Sequence, residues 1–303
     1  MLHLNLNNLE ELKEMHFKAV LSHFNTQSSD VMDMVYADVI ALPGFENYPR
    51  ATRTGTEWLR DFILAPPTTL NIWVRTCPSL LKFTFFKKIY TTRFANGDRN
   101  YVDTSESYNA IALHKAMNIR VCPYCDDQYL YVVTKDGHER RTSEFDHFYP
   151  KADNEFPALA MCFYNLILSC KTCNSLKSTG RLGISPYEPD IESQSVFSHD
   201  IEVGVNMESV RLEDFELTLS ACKGMTQNNT TLCLNDRYNE HKKEALDILT
   251  NAQMFDEEKI AEIARMFPQT DIPTLKERLM GPSYDRNRLQ VIHMKLKKDL
   301  IGQ

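Results

Sequence analysis

The chain has 303 residues, of which 43% are hydrophobic, 25% charged and 10% aromatic. That composition excludes a disordered or collagen-like polypeptide and supplies material for a sizeable core. Forty-one acids against thirty-four bases give a net charge of −7, so the protein is not uniformly coated with charge for nucleic acid, although a local basic surface remains electrostatically allowed.

Residues 1–115 read as a helical N-terminal region. Leu9, Leu12, His16, Ala19 and Val20 repeat at three- and four-residue spacing, and Val31 to Leu42 is a second apolar helical stretch. Pro66-Pro67 breaks the pattern and Asn96-Gly97-Asp98 marks a turn. Residues 51–100 hold eight bases and three acids, with no acid between Asp61 and Asp98. Within this basic segment, Lys82, Lys87, Lys88 and Arg93 alternate with Phe83, Phe85, Phe86 and Tyr90. Such interleaving suits backbone contacts and base stacking on nucleic acid, but aromatics at this spacing more often pack inward as core. A helix from Ser105 to Ile119 then leads into the first cysteine pair.

Residues 116–196 change character. Tyr129 to Val133 is β-prone, Asp136-Gly137 is a hairpin-type turn, and Ser143 to Phe148 can supply the returning strand. A mixed apolar stretch follows Pro157 to Leu168, then a second cysteine pair and a short helix beginning near Asn174. Residues 197–303 are mainly helical and acidic. Alternation at Ile201, Val203 and Val205, and again over Phe215 to Leu219, predicts two strands. Helices are expected from Asn235 onward, over Glu257 to Phe267, and over Asp285 to Leu300, where Lys295, Lys297 and Lys298 read as a solvated face. The fold class expected is α+β, mostly helical, with the chemistry in the middle.

In the cytosolic chain expected, eight cysteines point to metal or buried thiols rather than disulfides. Cys77, Cys162, Cys222 and Cys233 read as core residues. The other four form two Cys-x-x-Cys turns, Cys122/Cys125 and Cys170/Cys173. Each turn can present two thiolates to one ion. Together they complete a tetrahedral four-sulfur site with no open position, hence a structural one. Zinc is the expected ion, although a rubredoxin-like iron site uses the same ligands.

Between the knuckles lies Glu144-Phe-Asp146-His147-Phe-Tyr-Pro150-Lys151, followed by Asn165 and then Asn174-Ser-Leu-Lys177 directly after the second knuckle. Adjacent Asp and His on a strand point to opposite faces unless the strand ends there and bends, as Pro150 would favour. At a bend the carboxylate can bind a metal while the imidazole faces an attacking water. An Asn in the first turn of a helix is ordinarily a cap. Here Asn174 also sits where it could reach an ion held by Asp146.

The ordered set CPYC, EFDHFYPK and YNLILSCKTCNSLKS resembles the HNH nuclease family, over residues 120–180. The resemblance implies a zinc-stapled ββα-metal core flanked by helical regions, and a catalytic magnesium or manganese distinct from the zinc. It implies Asp146 as the first metal ligand, His147 as general base, Asn165 as the residue orienting that histidine, and Asn174 as the last motif residue, where the family often has His. Lys151, Lys177, Lys87 and Lys88 are candidate phosphate contacts. The string Leu232 to Lys242 resembles the tail of HNH proteins from bacterial anti-phage systems of the Septu and retron type, which implies an ATPase partner.

The expected function is endonucleolytic hydrolysis of nucleic acid, DNA before RNA, with tRNA as the RNA alternative. A catalytically inactive zinc module binding nucleic acid or a protein, and an iron carrier on the same cysteines, are the other readings. No run approaches the ~18 apolar residues of a membrane helix, and the first residues do not resemble a signal peptide. A cytoplasmic protein without a membrane partner is expected.

Overall fold

The computed structural model describes residues 1–48, 56–95, 108–201 and 210–302. The turn expected at 96–98, the first residues of the helix expected from Ser105, and the alternation at Val203 and Val205 lie outside the described residues. The chain divides into two compact units. One is Leu4–Ile119 with Leu130–Arg181; the other is Met1–His3 with Arg120–Tyr129 and Leu182–Gln303. Sequence reading instead gave three regions, 1–115, 116–196 and 197–303.

The first unit begins with helices α1 (Leu9–Asn25), α2 (Ser29–Ile40), α3 (Glu57–Ile63) and α4 (Pro67–Thr76). The apolar spacing read from α1 is its buried face, Leu12, His16, Ala19 and Val20. Pro67 occupies the first turn of α4, where a missing N–H costs nothing. Helix α5 (Phe85–Ile89) runs on as a π-helical turn over Tyr90–Phe94. The ring of Phe62 stacks on Trp73 at 5.6 Å and on Phe86 at 5.1 Å. The basic-aromatic stretch therefore buries Phe86, Tyr90 and Phe94 as core. Helix α6 (Ala110–Met117) is capped by the Asn109 side chain, which accepts from the N–H groups of Ile111 and Ala112.

Strands β1 (Val132–Lys135) and β2 (His138–Arg141) form a hairpin through Asp136 and Gly137, both at positive φ. Ser143 to Phe148 is thus not its returning strand. Strand β3 (Ser143–His147) pairs instead with β4 (Leu166–Cys170), antiparallel, with Asp146 opposite Ile167 and His147 opposite Leu166. Burial explains the choice. The β1–β2 hairpin is mostly exposed and its returning strand is His-Glu-Arg-Arg, whereas β4 is buried along its whole length and needs a partner that is also buried. Helix α7 (Lys171–Lys177) follows β4 directly and packs on both strands. It starts three residues before Asn174, because the Cys170 sulfur accepts from the Cys173 N–H at its N-terminus.

In the second unit, β5 (Ser195–Ile201) pairs antiparallel with β6 (Phe215–Ala221). Then come α8 (Gly224–Leu232), α9 (Leu234–Asn239), α10 (Lys242–Met254), α11 (Glu257–Met266) and α12 (Ile272–Met280). Gly183 and Gly224 touch so closely that a Cβ on Gly183 would lie 2.4 Å from the Gly224 carbonyl oxygen. The single helix expected over Asp285 to Leu300 is two, α13 (Tyr284–Asn287) and α14 (Met294–Ile301), broken where His293 adopts a left-handed φ of 60°. The lysine face expected there is also wrong for two of its three residues. Lys295 and Lys297 are buried, the first bonded to Ser195 O and Asp299, the second to Gly281 O and Pro282 O. Of the four scattered cysteines only Cys162 is buried; Cys222 and Cys233 are exposed. Both fall at chain reversals, just past β6 and between α8 and α9. Among the described residues no helix is long and apolar enough to cross a membrane.

Candidate active site and metal centre

Strand β3 ends at His147, and that end opens onto a cleft of about 590 Å³. Glu144, Asp146 and His147 line it from the strand, Lys151 from the loop beyond, Asn174 from α7, and Lys87 and Tyr90 from α5 and its π-turn. Glu144 and Asp146 are two residues apart, so they share one face of β3. His147, on the opposite parity, reaches the same cleft because the strand stops there.

His147 is 4% exposed. Its Nε2 lies 3.0 Å from the carbonyl oxygen of Ala160. A donated Nε2–H fixes the tautomer and leaves Nδ1 with the lone pair. The Tyr90 ring stands edge-on to the imidazole with centroids 4.3 Å apart. Burial first, and the Lys151 ammonium second, push the pKa of His147 well below the ordinary histidine value. The ring is therefore neutral at physiological pH, which is the form a general base requires.

Asp146 is 3% exposed, and its Oδ1 accepts from the Lys177 ammonium at 3.0 Å. Lys177 is 2% exposed and also donates to the backbone oxygen of His147 at 2.6 Å. It is thus no solvated phosphate contact. The fold draws it inward because α7 packs on β3 and places the end of its stem at two acceptors, a carboxylate and a carbonyl. Lys151 is half-buried in the cleft with its ammonium 4.9 Å from the Tyr90 ring centre, and burial lowers its pKa. Lys87 lines the cleft and pairs with Asp153 at 2.7 Å. Lys88 points elsewhere, into a separate depression it shares with His23 and Arg93.

Asn165 does something other than orient the imidazole directly. Its Oδ1 accepts from the Tyr149 N–H at 2.7 Å and its Nδ2 donates to the carbonyls of Tyr149 and Leu159 at 3.1 and 3.0 Å. The side chain clamps the loop just beyond His147. Asn174 is half-buried, in the second turn of α7, and faces the cleft. Asp146 and Asn174 both line the cleft, with Glu144 as a second carboxylate on the same wall. Glu144 is given no role by the sequence reading, although its two-residue spacing from Asp146 on a strand was the available signal; Tyr90 is read there only as one aromatic of the basic stretch.

The four cysteines of the two knuckles are buried, and their sulfurs lie within 4.8 Å of one another. Four thiolates around zinc at about 2.3 Å would stand about 3.8 Å apart, so this set could hold a structural metal such as zinc. No family model, characterised protein or solved structure matches the chain.

Proposed function

We propose that this cleft is the active site of a metal-dependent endonuclease of the HNH type, cutting DNA by hydrolysis. The observation that carries the reading is the convergence of Asp146, neutral His147 and Asn174 on one cleft built from two antiparallel strands and the helix that follows them. A magnesium or manganese ion on Asp146 and Asn174 would supply charge stabilisation at the reacting phosphate. His147 Nδ1 takes the proton of the attacking water. Asn165 holds the loop behind it, and Lys177 fixes the Asp146 carboxylate. Lys151, a cation lining the cleft, sets the approach of the phosphate backbone, with Lys87 beside it.

We retain an ATPase partner, from the resemblance of Leu232 to Lys242, as part of this proposal. In that string Tyr238 is buried and Arg237 pairs with Asp127. Docking would fall to its exposed residues, Cys233, Asp236 and Glu240.

The test is cleavage of supercoiled plasmid, with total tRNA alongside, by the full chain in magnesium. Wild type is expected to cut plasmid, and His147→Ala to be slower by at least about 100-fold. Cutting of tRNA alone would move the substrate to RNA. A folded wild type that spares both, or a mutant that cuts as fast as wild type, overturns the assignment.

A further inference from the structure

A second cluster of ligand-type side chains lies within the other unit. Asp127 follows the first cysteine turn, His241 precedes α10, and His293 precedes α14. Their ligand atoms all lie within 4.8 Å of one another. Asp127 Oδ1 is 2.8 Å from His241 Nε2 and 3.5 Å from His293 Nε2. The two imidazoles converge on a single carboxylate oxygen, with ring centres 4.4 Å apart.

Hydrogen bonding within the protein leaves this arrangement incomplete. His293 Nε2 is buried, and at 3.5 Å from Asp127 Oδ1 its contact is too long for a well-formed hydrogen bond. That nitrogen faces the oxygen that His241 already occupies at 2.8 Å. The backbone is also held for the purpose. His293 and Asp126, the neighbour of Asp127, both adopt left-handed φ, at 60° and 56°. The His293 N–H donates to the Asp126 carbonyl at 2.7 Å, locking the two strained residues together. Strain of this kind in a non-glycine residue persists where the surroundings demand it.

The surroundings match those of a histidine metal site. Arg237 bonds Asp127 Oδ2 at 2.8 Å, which turns Oδ1 toward the histidines. The far nitrogen of His241 lies 3.7 Å from the Glu244 carboxylate, the outer-carboxylate position typical of metal-bound imidazoles. Tyr238 packs its ring against both imidazoles, and its hydroxyl donates to the Cys125 carbonyl at 2.6 Å.

We propose that Asp127, His241 and His293 bind a divalent transition ion of the zinc class, separate from any ion on the four cysteines. Two imidazoles and one carboxylate are the donor set of zinc, cobalt and iron(II), not of calcium or magnesium, which need more oxygen ligands. The neighbouring Arg237 charge sharpens that choice, because only strong imidazole bonding offsets it. Three protein ligands leave a coordination position for water or a further ligand.

The experiment titrates cobalt(II) into the full chain already carrying one equivalent of zinc, followed by visible absorption. Zinc in the cysteine set blocks the intense sulfur-to-cobalt bands, so a nitrogen–oxygen site shows as weak d–d absorption alone. The expected result is a saturable band of one equivalent in wild type, weakened at least 10-fold in affinity in Asp127→Asn and in His293→Asn, the latter chosen because Asn tolerates left-handed φ. No saturable band in wild type overturns the proposal, as does a band unchanged in both variants. The wild-type arm decides even if a variant fails to fold.

Discussion

The segment from Ser143 to Lys177 and the C-terminal segment from Gly281 to Ile301 both bury lysines, and they bury them against different acceptors. Lys177 gives its ammonium to the Asp146 carboxylate, a wall of the cleft. Lys297 gives its ammonium to two turn carbonyls, Gly281 and Pro282, at 2.9 and 2.8 Å. In the first case removal of the lysine strands a charge. In the second it strands only neutral dipoles. Equal burial therefore carries unequal consequence, and the acceptor decides which lysine bears on chemistry.

The contrast breaks most sharply at Lys177. With side chains 1% and 3% exposed, Lys177 and Asp146 form a buried pair. Removing one partner of such a pair costs about 3–5 kcal/mol, because the other charge remains without compensation. Lys177→Met is expected to lose that much in urea unfolding, and Lys177→Met/Asp146→Leu to recover most of it. A loss below about 1 kcal/mol in the single variant would mean that water reaches Asp146 and that the pair is not closed.

Acid sharpens the comparison between the units. His16 is fully buried in the first unit, bonded to Tyr108 and to the Met161 carbonyl, and burial lowers its pKa to about 4. Above pH 6.5 both folded and unfolded chains hold it neutral, so it contributes no pH dependence. As pH falls from 6.5 toward 4, the unfolded chain takes up a proton that the folded chain refuses, and stability drops. At pH 5 the loss from this residue is about 2 kcal/mol, at 1.36 kcal/mol per pH unit. His114, also in this unit, is lowered to about 4 by burial and adds in the same direction. Urea midpoints measured from pH 7 to 5 should fall, and His16→Gln should flatten the slope. An unchanged slope in that variant would place the acid sensitivity elsewhere.

What could be read from sequence follows from how local each signal is. The knuckles, the Asp146-His147 pair and Asn174 are short-range patterns, and Asp146, His147 and Asn174 share one cleft because α7 follows β4 directly and β4 pairs with β3. The partner of β3 was misread because a hairpin turn at Asp136-Gly137 is a strong local cue, while the pairing of Ser143 with Cys170 is settled by burial 27 residues away. Lys177 reads from sequence as a candidate phosphate contact because lysines ordinarily stay at the surface, a habit that packing of α7 on β3 overrides. His241 and His293 lie 52 residues apart in sequence, with Asp127 more distant still, and share no motif. Only the folded chain brings them to one oxygen.

Lys297 supplies the smallest expected effect and the control for the largest. It is 5% exposed, no carboxylate is paired with it among the described residues, and burial lowers its pKa against the opposing pull of Glu277. Lys297→Met keeps the length of the stem and its packing against the turn before α13, and removes both the two hydrogen bonds and the desolvation cost of the ammonium. The two losses offset, so about 1–2 kcal/mol is expected, less than the sum for two bonds to a charged donor. Because the carbonyls of Gly281 and Pro282 lie in a turn, solvent can replace the lost donor once the ammonium is gone. If Lys297→Met were as costly as Lys177→Met, burial alone would set the cost of losing a lysine. The carboxylate at Asp146 would then have no special hold on its partner.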